Sequence, residues 1–104
     1  VKSELFSDKI YVYTTKGDVI ELPRGATAID FAYKVHTDIG NTMVAAVVND
    51  RLVDVDYVLH NKDRVRIITD IMSYGPREEW IDKVQTTRAR RKIREFKNKE
   101  VRYV

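Results

Sequence analysis

The sequence predicts an α+β fold: a mixed sheet of about five short strands covered by one main helix, then a short helical tail. Three observations predict it. Runs rich in β-branched and aromatic residues recur at five places before residue 70. Between the second and third of these, residues 27–40 carry apolar side chains at helical rather than alternating spacing. Beyond Pro76 only helical spacing remains.

The first strand is Ile10-Tyr11-Val12-Tyr13-Thr14. Thr15-Lys16-Gly17-Asp18 supplies a turn, and Val19-Ile20-Glu21-Leu22 returns as the second strand. Pro23 ends the hairpin, because a residue without an N–H cannot continue a central ladder. Thr27 then offers an N-cap, with Asp30 three residues on as the acidic half of a capping box. Ile29, Ala32, Val35 and Ile39 follow the 3, 3, 4 spacing of one buried face, with Phe31 beside it. Gly40 is placed to close that helix in a left-handed conformation after its last turn.

Met43-Val44-Ala45-Ala46-Val47-Val48 reads as a buried strand, Asn49-Asp50 as a tight turn, and Arg51-Leu52-Val53 as a short return strand. Residues 54–63 form a loop with one expected helical turn around Tyr57-Val58-Leu59, and residues 64–69 alternate as a half-buried final strand. The order β-β-α-β-β-β is the β-grasp arrangement of ubiquitin-like domains. A domain this small buries only roughly 60% of its unfolded surface, so a ligand site is expected on the surface.

In the tail, Trp80, Ile81 and Val84 share one face of a short helix. Thr86 or Thr87 caps a second helix with an Ala89, Ile93, Phe96 stripe. Helices this short are marginal alone in water. Their apolar faces are expected to dock on the preceding domain, on another copy, or on parts of a longer parent. Trp80 and Phe96 read first as ordinary core. The division is residues 5–70 for the grasp domain and 71–104 for a linker and the start of a helical domain.

Composition removes most catalytic chemistry. The chain has 104 residues, no cysteine, two histidines (His36 and His60) and four glycines. That excludes disulfides, thiol nucleophiles and cysteine-ligated zinc. No Walker A loop, GxGxxG turn, HExxH pair or GxSxG elbow is present. No catalytic residue, metal or cofactor is expected. The longest apolar run has six residues, too few to cross a bilayer, and residues 1–6 lack the apolar segment of a secretion signal. A cytoplasmic location is the default. Without an initiator methionine, the segment is expected to come from a longer protein.

The net charge of +3 is unevenly spread. Residues 1–70 carry nine Lys/Arg against eleven Asp/Glu, whereas residues 71–104 carry ten against five. A basic helix of this kind is usually a solvated face. Arg88, Arg90, Arg91 and Arg94 are the candidates if it meets phosphates.

Several strings carry a family resemblance: Tyr11-Val12-Tyr13-Thr14-Thr15-Lys16-Gly17-Asp18, Leu22-Pro23-Arg24-Gly25-Ala26-Thr27, and Ile29-Asp30-Phe31-Ala32-Tyr33-Lys34-Val35-His36 with Asp38-Ile39-Gly40. Together they resemble a TGS domain, a β-grasp module. Gly75-Pro76, Trp80-Ile81, Thr87-Arg88-Ala89-Arg90 and Lys92-Ile93-Arg94 are similar to the linker and first helices after that domain in Rel/SpoT stringent-response factors. The resemblance runs from Leu5 to Lys99.

This resemblance implies a regulatory module. The parent would be a GTP pyrophosphokinase that makes, and in some members hydrolyses, the alarmone (p)ppGpp, with its catalytic domains outside this segment. In ribosome-bound members the TGS domain senses the free 3′-CCA end of uncharged tRNA, and the contacting histidine maps onto His36. Read physically, His36 falls in the last turns of the expected helix, where partial negative charge favours imidazolium. It can donate to a phosphate or ribose oxygen or stack on a base, and an aminoacyl ester would crowd that contact. His60 has no motif around it.

The chain departs from the family pattern near that site. Thr42 stands where a basic residue is expected, and Ala45-Ala46-Val47-Val48-Asn49-Asp50 stands where relatives often read Gly-Ala-Lys-Val-Asn-Gly. Thr15 replaces a frequent proline, which changes only turn stiffness. Lys34, Arg24 and Arg51 are the remaining candidates to supply positive charge beside His36. Two further readings stand beside tRNA sensing. One is a protein-interaction module binding acyl carrier protein, as the resemblance to SpoT-like members implies. The other is an intramolecular restraint on the parent's catalytic half.

Overall fold

The structure, a computed structural model, describes residues 8–101. The expected domain start at Leu5 lies outside the described residues, as do the last three residues of the tail. Five strands form: β1 (Lys9–Tyr13), β2 (Val19–Pro23), β3 (Met43–Val48), β4 (Arg51–Val53) and β5 (Val65–Thr69). Between β2 and β3 lie two helices, α1 (Ala28–Val35) and α2 (Thr37–Thr42). A 3₁₀ helix (Glu78–Lys83) and α3 (Thr87–Val101) follow β5.

The five strands do not make the one continuous sheet that the sequence suggests. β1 and β2 form an antiparallel hairpin, while β4-β3-β5 form a separate antiparallel sheet. One parallel bridge, Tyr13 to Arg64, joins the two. The reason lies in the hydrogen bonds along the outer edge of β1. Tyr11 N–H donates to the Asn61 side-chain oxygen (2.8 Å). Lys62 N–H donates to Tyr11 O (2.7 Å), and Tyr13 N–H donates to Asp63 O (2.8 Å). The irregular segment ahead of β5 therefore satisfies the groups that a neighbouring strand would have paired.

Register sets the core. Ile10 faces Leu22 across the hairpin, and β3 pairs Val48 with Arg51 on one side and with Val65 on the other. Asn49 and Asp50 both have positive φ (52° and 69°), as a two-residue turn of this hand requires. Ile10, Val12, Leu22, Phe31, Val48, Leu59 and Val65 make one buried cluster under the two sheets.

The main helix is shorter than its apolar spacing suggests. It ends at Val35, His36 adopts an extended conformation (φ −168°, ψ 144°), and α2 then begins a new turn. Val35 is therefore 45% exposed rather than part of the buried face. Gly40 lies inside α2 and is not a left-handed terminator. Its lack of a side chain admits the Tyr33 ring, because a Cβ there would fall 2.4 Å from the ring carbons. The expected helical turn at residues 57–59 is also absent. Instead Ala28 N–H donates to Tyr57 O (3.0 Å) and Leu59 N–H donates to Ala26 O (2.9 Å), so this segment lies extended beside residues 26–28.

The tail packs on the far side of α1. Ala28, Ile29, Ala32, Tyr33, Met43 and Ala46 share a second buried cluster with Trp80, Val84, Ala89 and Ile93. The docked stripe of α3 is the Ala89, Ile93 pair, with Phe96 half-buried against Gly75. α1 is thus buried from Ala28 to Tyr33, with sheet residues on one side and tail residues on the other.

Candidate nucleic-acid interface

The break between α1 and α2 presents His36. Its backbone N–H still completes α1 by donating to Ala32 O (3.1 Å), while its Nδ1 accepts from Asp38 N–H (3.0 Å) and caps α2. The imidazole is thus held by one nitrogen and offers Nε2 outward, with the side chain 65% exposed. The geometry replaces the expected setting at a helix end. Nδ1 acts as an acceptor toward a new helix, so the ring caps the start of α2 as well as following the end of α1.

Asp38 is a second polar group beside His36, and sequence reasoning missed it. Its Oδ2 lies 3.8 Å from His36 Nδ1, and it is 86% exposed. A carboxylate in this place disfavours a phosphate and favours hydroxyl or amino donors. No local signal marks it, because the apolar spacing from Ile29 to Ile39 runs across the break that places Asp38 in the first turn of α2. Thr42, where a cation was expected, spends its hydroxyl on the Asp38 carbonyl (2.6 Å) and closes α2.

The three supplementary cations lie on different elements, with Lys34 on the last turn of α1, two residues before His36. Arg24 precedes α1, whose eight residues separate the helix ends by about 12 Å. Arg51 pairs with Val48, at the end of β3 remote from α2. Lys34 is exposed on the last turn of α1, and its field is felt on β2. There the Glu21 carboxyl is held below its usual range, chiefly by its hydrogen bond to Lys9 (2.8 Å), with Lys34 adding a smaller part.

The basic tail splits into two groups. Arg88 Nε donates to Tyr33 O (3.2 Å), which brings its guanidinium to the C-terminal turn of α1, three residues before His36. A cation on a helix-end carbonyl is favourably placed. Arg90 Nη2 donates to Val84 O (3.0 Å). Arg90, Arg91 and Arg94, with Thr87, Glu95 and Asn98, line a shallow groove along the outer side of α3.

Asp30 holds the two parts together. Buried to 1% exposure, it accepts from Thr27 N–H (2.9 Å) as the capping box predicts. It also accepts from the N–H groups of Gln85 and Thr86 and from the Thr86 hydroxyl. No local signal marks that second role, because its partners are 55 and 56 residues away.

A β-hairpin, a capped helix broken at a histidine, and a three-stranded sheet define the class to which comparison points. The TGS domain family model matches residues 10–69, and the chain belongs to that family. Its likeness extends through the tail into proteins of the Rel/SpoT type. It is 46% identical over 96 residues to a GTP pyrophosphokinase of Myxococcus xanthus, covering 92% of this chain and 12% of that protein. It is 50% identical over 95 residues to a guanosine-3′,5′-bis(diphosphate) 3′-pyrophosphohydrolase of Vibrio cholerae, covering 91% and 13%. A protein of the same name from Aquifex aeolicus is 44% identical over 102 residues, covering 98% and 14%. The chain therefore spans between an eighth and a seventh of the length of these relatives. Among the described residues no helix is long and apolar enough to cross a membrane.

Proposed function

We propose that this chain is the tRNA-sensing module of a cytoplasmic GTP pyrophosphokinase/(p)ppGpp hydrolase, reading the 3′-CCA end of uncharged tRNA on the ribosome. In this reading residues 71–104 form the connector to a following helical domain, and catalysis belongs to other parts of the parent. The observation that carries it is the exposed His36 ring, fixed through Nδ1 and open at Nε2. Beside it, Asp38 makes a terminal ribose a better partner than a phosphate, because a free cis-diol donates to a carboxylate. An aminoacyl ester removes one of those hydroxyls and adds bulk at the same place.

Binding of the chain to deacylated and aminoacylated tRNA tests this reading. Several-fold tighter binding of the deacylated form, abolished in His36→Asn, is the expected result. Equal binding of both forms, or discrimination that survives the substitution, overturns it.

A protein-docking role is the second reading, with acyl carrier protein or the parent's catalytic half as partner. It is favoured by Ile71, Met72 and Tyr74, which are 89%, 81% and 97% exposed in the connector. Met72 and Tyr74 border a groove shared with Val44 and Trp80. Amide-signal changes confined to this connector on adding either partner would favour it over tRNA.

A further inference from the structure

Arg88 ties the tail to the helix that carries His36 at the point where that helix breaks. In a continuing helix Tyr33 O would accept from Thr37 N–H. The extended backbone at His36 (φ −168°, ψ 144°) turns that donor away and leaves the carbonyl among the acceptors that a helix end cannot pair internally. Arg88 Nε takes the place of the lost donor at 3.2 Å. Arg88 is itself set by the start of α3, where Thr86 is bonded to Asp30 through its N–H and its hydroxyl and Ala89 is fully buried.

We propose that Arg88 is a positioning residue for His36: by holding the Tyr33 carbonyl it fixes the break that aims the imidazole, so discrimination at the ring depends on the docked tail. This deepens the tRNA-sensing reading and rests on it. Tyr33 is the link. Its side chain is fully buried, its ring occupies the space that Gly40 leaves free, and its phenol donates to the Asn41 side-chain oxygen at 2.9 Å. Gly40 and Asn41 both belong to α2. The first turn of α2 in turn holds the ring of His36, because Asp38 N–H donates to Nδ1 at 3.0 Å.

Tyr33 therefore bridges the break, with its carbonyl held from the tail and its side chain fixed against α2. His36 lies between these two fixed points. A contact side chain is only as well placed as the groups that support it. Arg90 supplies an internal comparison: it makes the same kind of bond, Nη2 to Val84 O at 3.0 Å, but onto a carbonyl of the tail itself. Lys34 supplies another, since it carries an equal charge on the last turn of α1.

The test reads the ring directly in the 104-residue chain, from the nitrogen NMR signals of the His36 imidazole at a pH of about 9, above the ordinary imidazole range. Because Nδ1 accepts, the wild type should show one tautomer, with the proton on Nε2. In Arg88→Gln the two nitrogen signals should move toward each other as the tautomers mix. The Asp38 amide should exchange several-fold faster, while the β3 ladder keeps its protection. Arg88→Lys, which retains a donor and the charge, should place the ring signals between those of the wild type and Arg88→Gln. Arg90→Gln and Lys34→Gln should leave the ring signals in place, which separates positioning from general loosening of the tail and from loss of charge. Discrimination between deacylated and aminoacylated tRNA should fall several-fold in Arg88→Gln.

Unmoved ring signals in both Arg88 variants, or equal movement in Arg90→Gln or Lys34→Gln, overturn the proposal. Discrimination that survives the movement of the ring signals overturns it as well. Equal binding of both tRNA forms by the wild type would instead overturn the sensing reading, and the ring signals would still decide whether Arg88 positions His36.

Discussion

Asp30 Oδ1 accepts two hydrogen bonds from one residue, Thr86: its backbone N–H at 3.0 Å and its hydroxyl at 2.8 Å. The other carboxylate oxygen accepts from Thr27 N–H and from Gln85 N–H, both at 2.9 Å. Thr86 in turn accepts from Ala89 N–H through its hydroxyl (3.1 Å), as an N-cap of α3 does. One buried carboxylate therefore sits where α1 and α3 both begin, at the positive end of each helix dipole. The domain helix that carries His36 and the tail helix that carries the arginines are registered to each other through it.

Removing that carboxylate should loosen the tail and cost stability together. Asp30→Ala strips the cap of α1 and leaves the N–H groups of Gln85 and Thr86 without their acceptor, a loss of about 3 kcal/mol. In a domain of this size that lowers Tm by about 10–20 °C. Asp30→Asn should recover less than half of the loss, because the amide nitrogen would face a donor. Thermal melts of the two variants check this, and hydrogen exchange should show α3 opening before the β3 ladder.

Gly40 and Tyr33 form a second fixed pair. In an ordinary helix Gly→Ala is favourable by about 1 kcal/mol. Here the added methyl would fall 2.4–2.6 Å from ring carbons of Tyr33, which is fully buried and lies against the tail cluster. Gly40→Ala should therefore destabilise by about 2 kcal/mol, opposite in sign to propensity. Urea denaturation measures this directly, and a stabilising outcome would refute the ring-on-glycine packing.

The same pair shows what the sequence could and could not reveal. Thr27 and Asp30 announce their cap by spacing, and Ala89, Ile93 and Phe96 announce their stripe, because both signals are local. Asn49-Asp50 is legible for the same reason, and both residues take the positive φ that the turn demands. Gly40 misleads, since a glycine after a helical stretch looks like a terminator until the distant face of Tyr33 is known. The break at His36 is hidden by apolar spacing that runs across it from Ile29 to Ile39. The split of the sheet depends on Asn61, Lys62 and Asp63 pairing with β1, a contact across about 50 residues that no periodicity encodes. For the candidate site, the resemblance points to His36, and composition points to the basic tail. Which arginines serve backbone carbonyls, and that Asp38 stands beside His36, follow only from packing.

Burial of Tyr33 also predicts an alkaline transition. Its phenol, which donates to the Asn41 side-chain oxygen at 2.9 Å, is pushed well above its usual range by desolvation. The unfolded chain ionises near the ordinary value of about 10, so above that pH the folded state holds a proton that the unfolded state has lost. Stability from this residue is therefore complete below pH of about 10 and falls as pH rises beyond it, by up to about 1.4 kcal/mol per pH unit. Tyr33→Phe should be about 1 kcal/mol less stable at pH 7, from the lost hydrogen bond, yet flatter between pH 10 and 11. Denaturation curves at pH 7, 10 and 11 separate the two effects.

Function at His36 needs variants that do not confuse contact with folding. The ring caps α2 through Nδ1, so His36→Ala removes both the cap and the imidazole. It should cost up to about 1 kcal/mol, as loss of an N-cap does. Asparagine is among the best N-caps, and its side-chain oxygen can take over the Asp38 N–H. His36→Asn should therefore keep the stability of the parent chain within about 0.5 kcal/mol while removing the outward Nε2. If tRNA discrimination is lost in both variants although only His36→Ala melts earlier, the imidazole is the contact. Discrimination lost in His36→Ala and retained in His36→Asn would instead mean that the helix break matters and the ring does not.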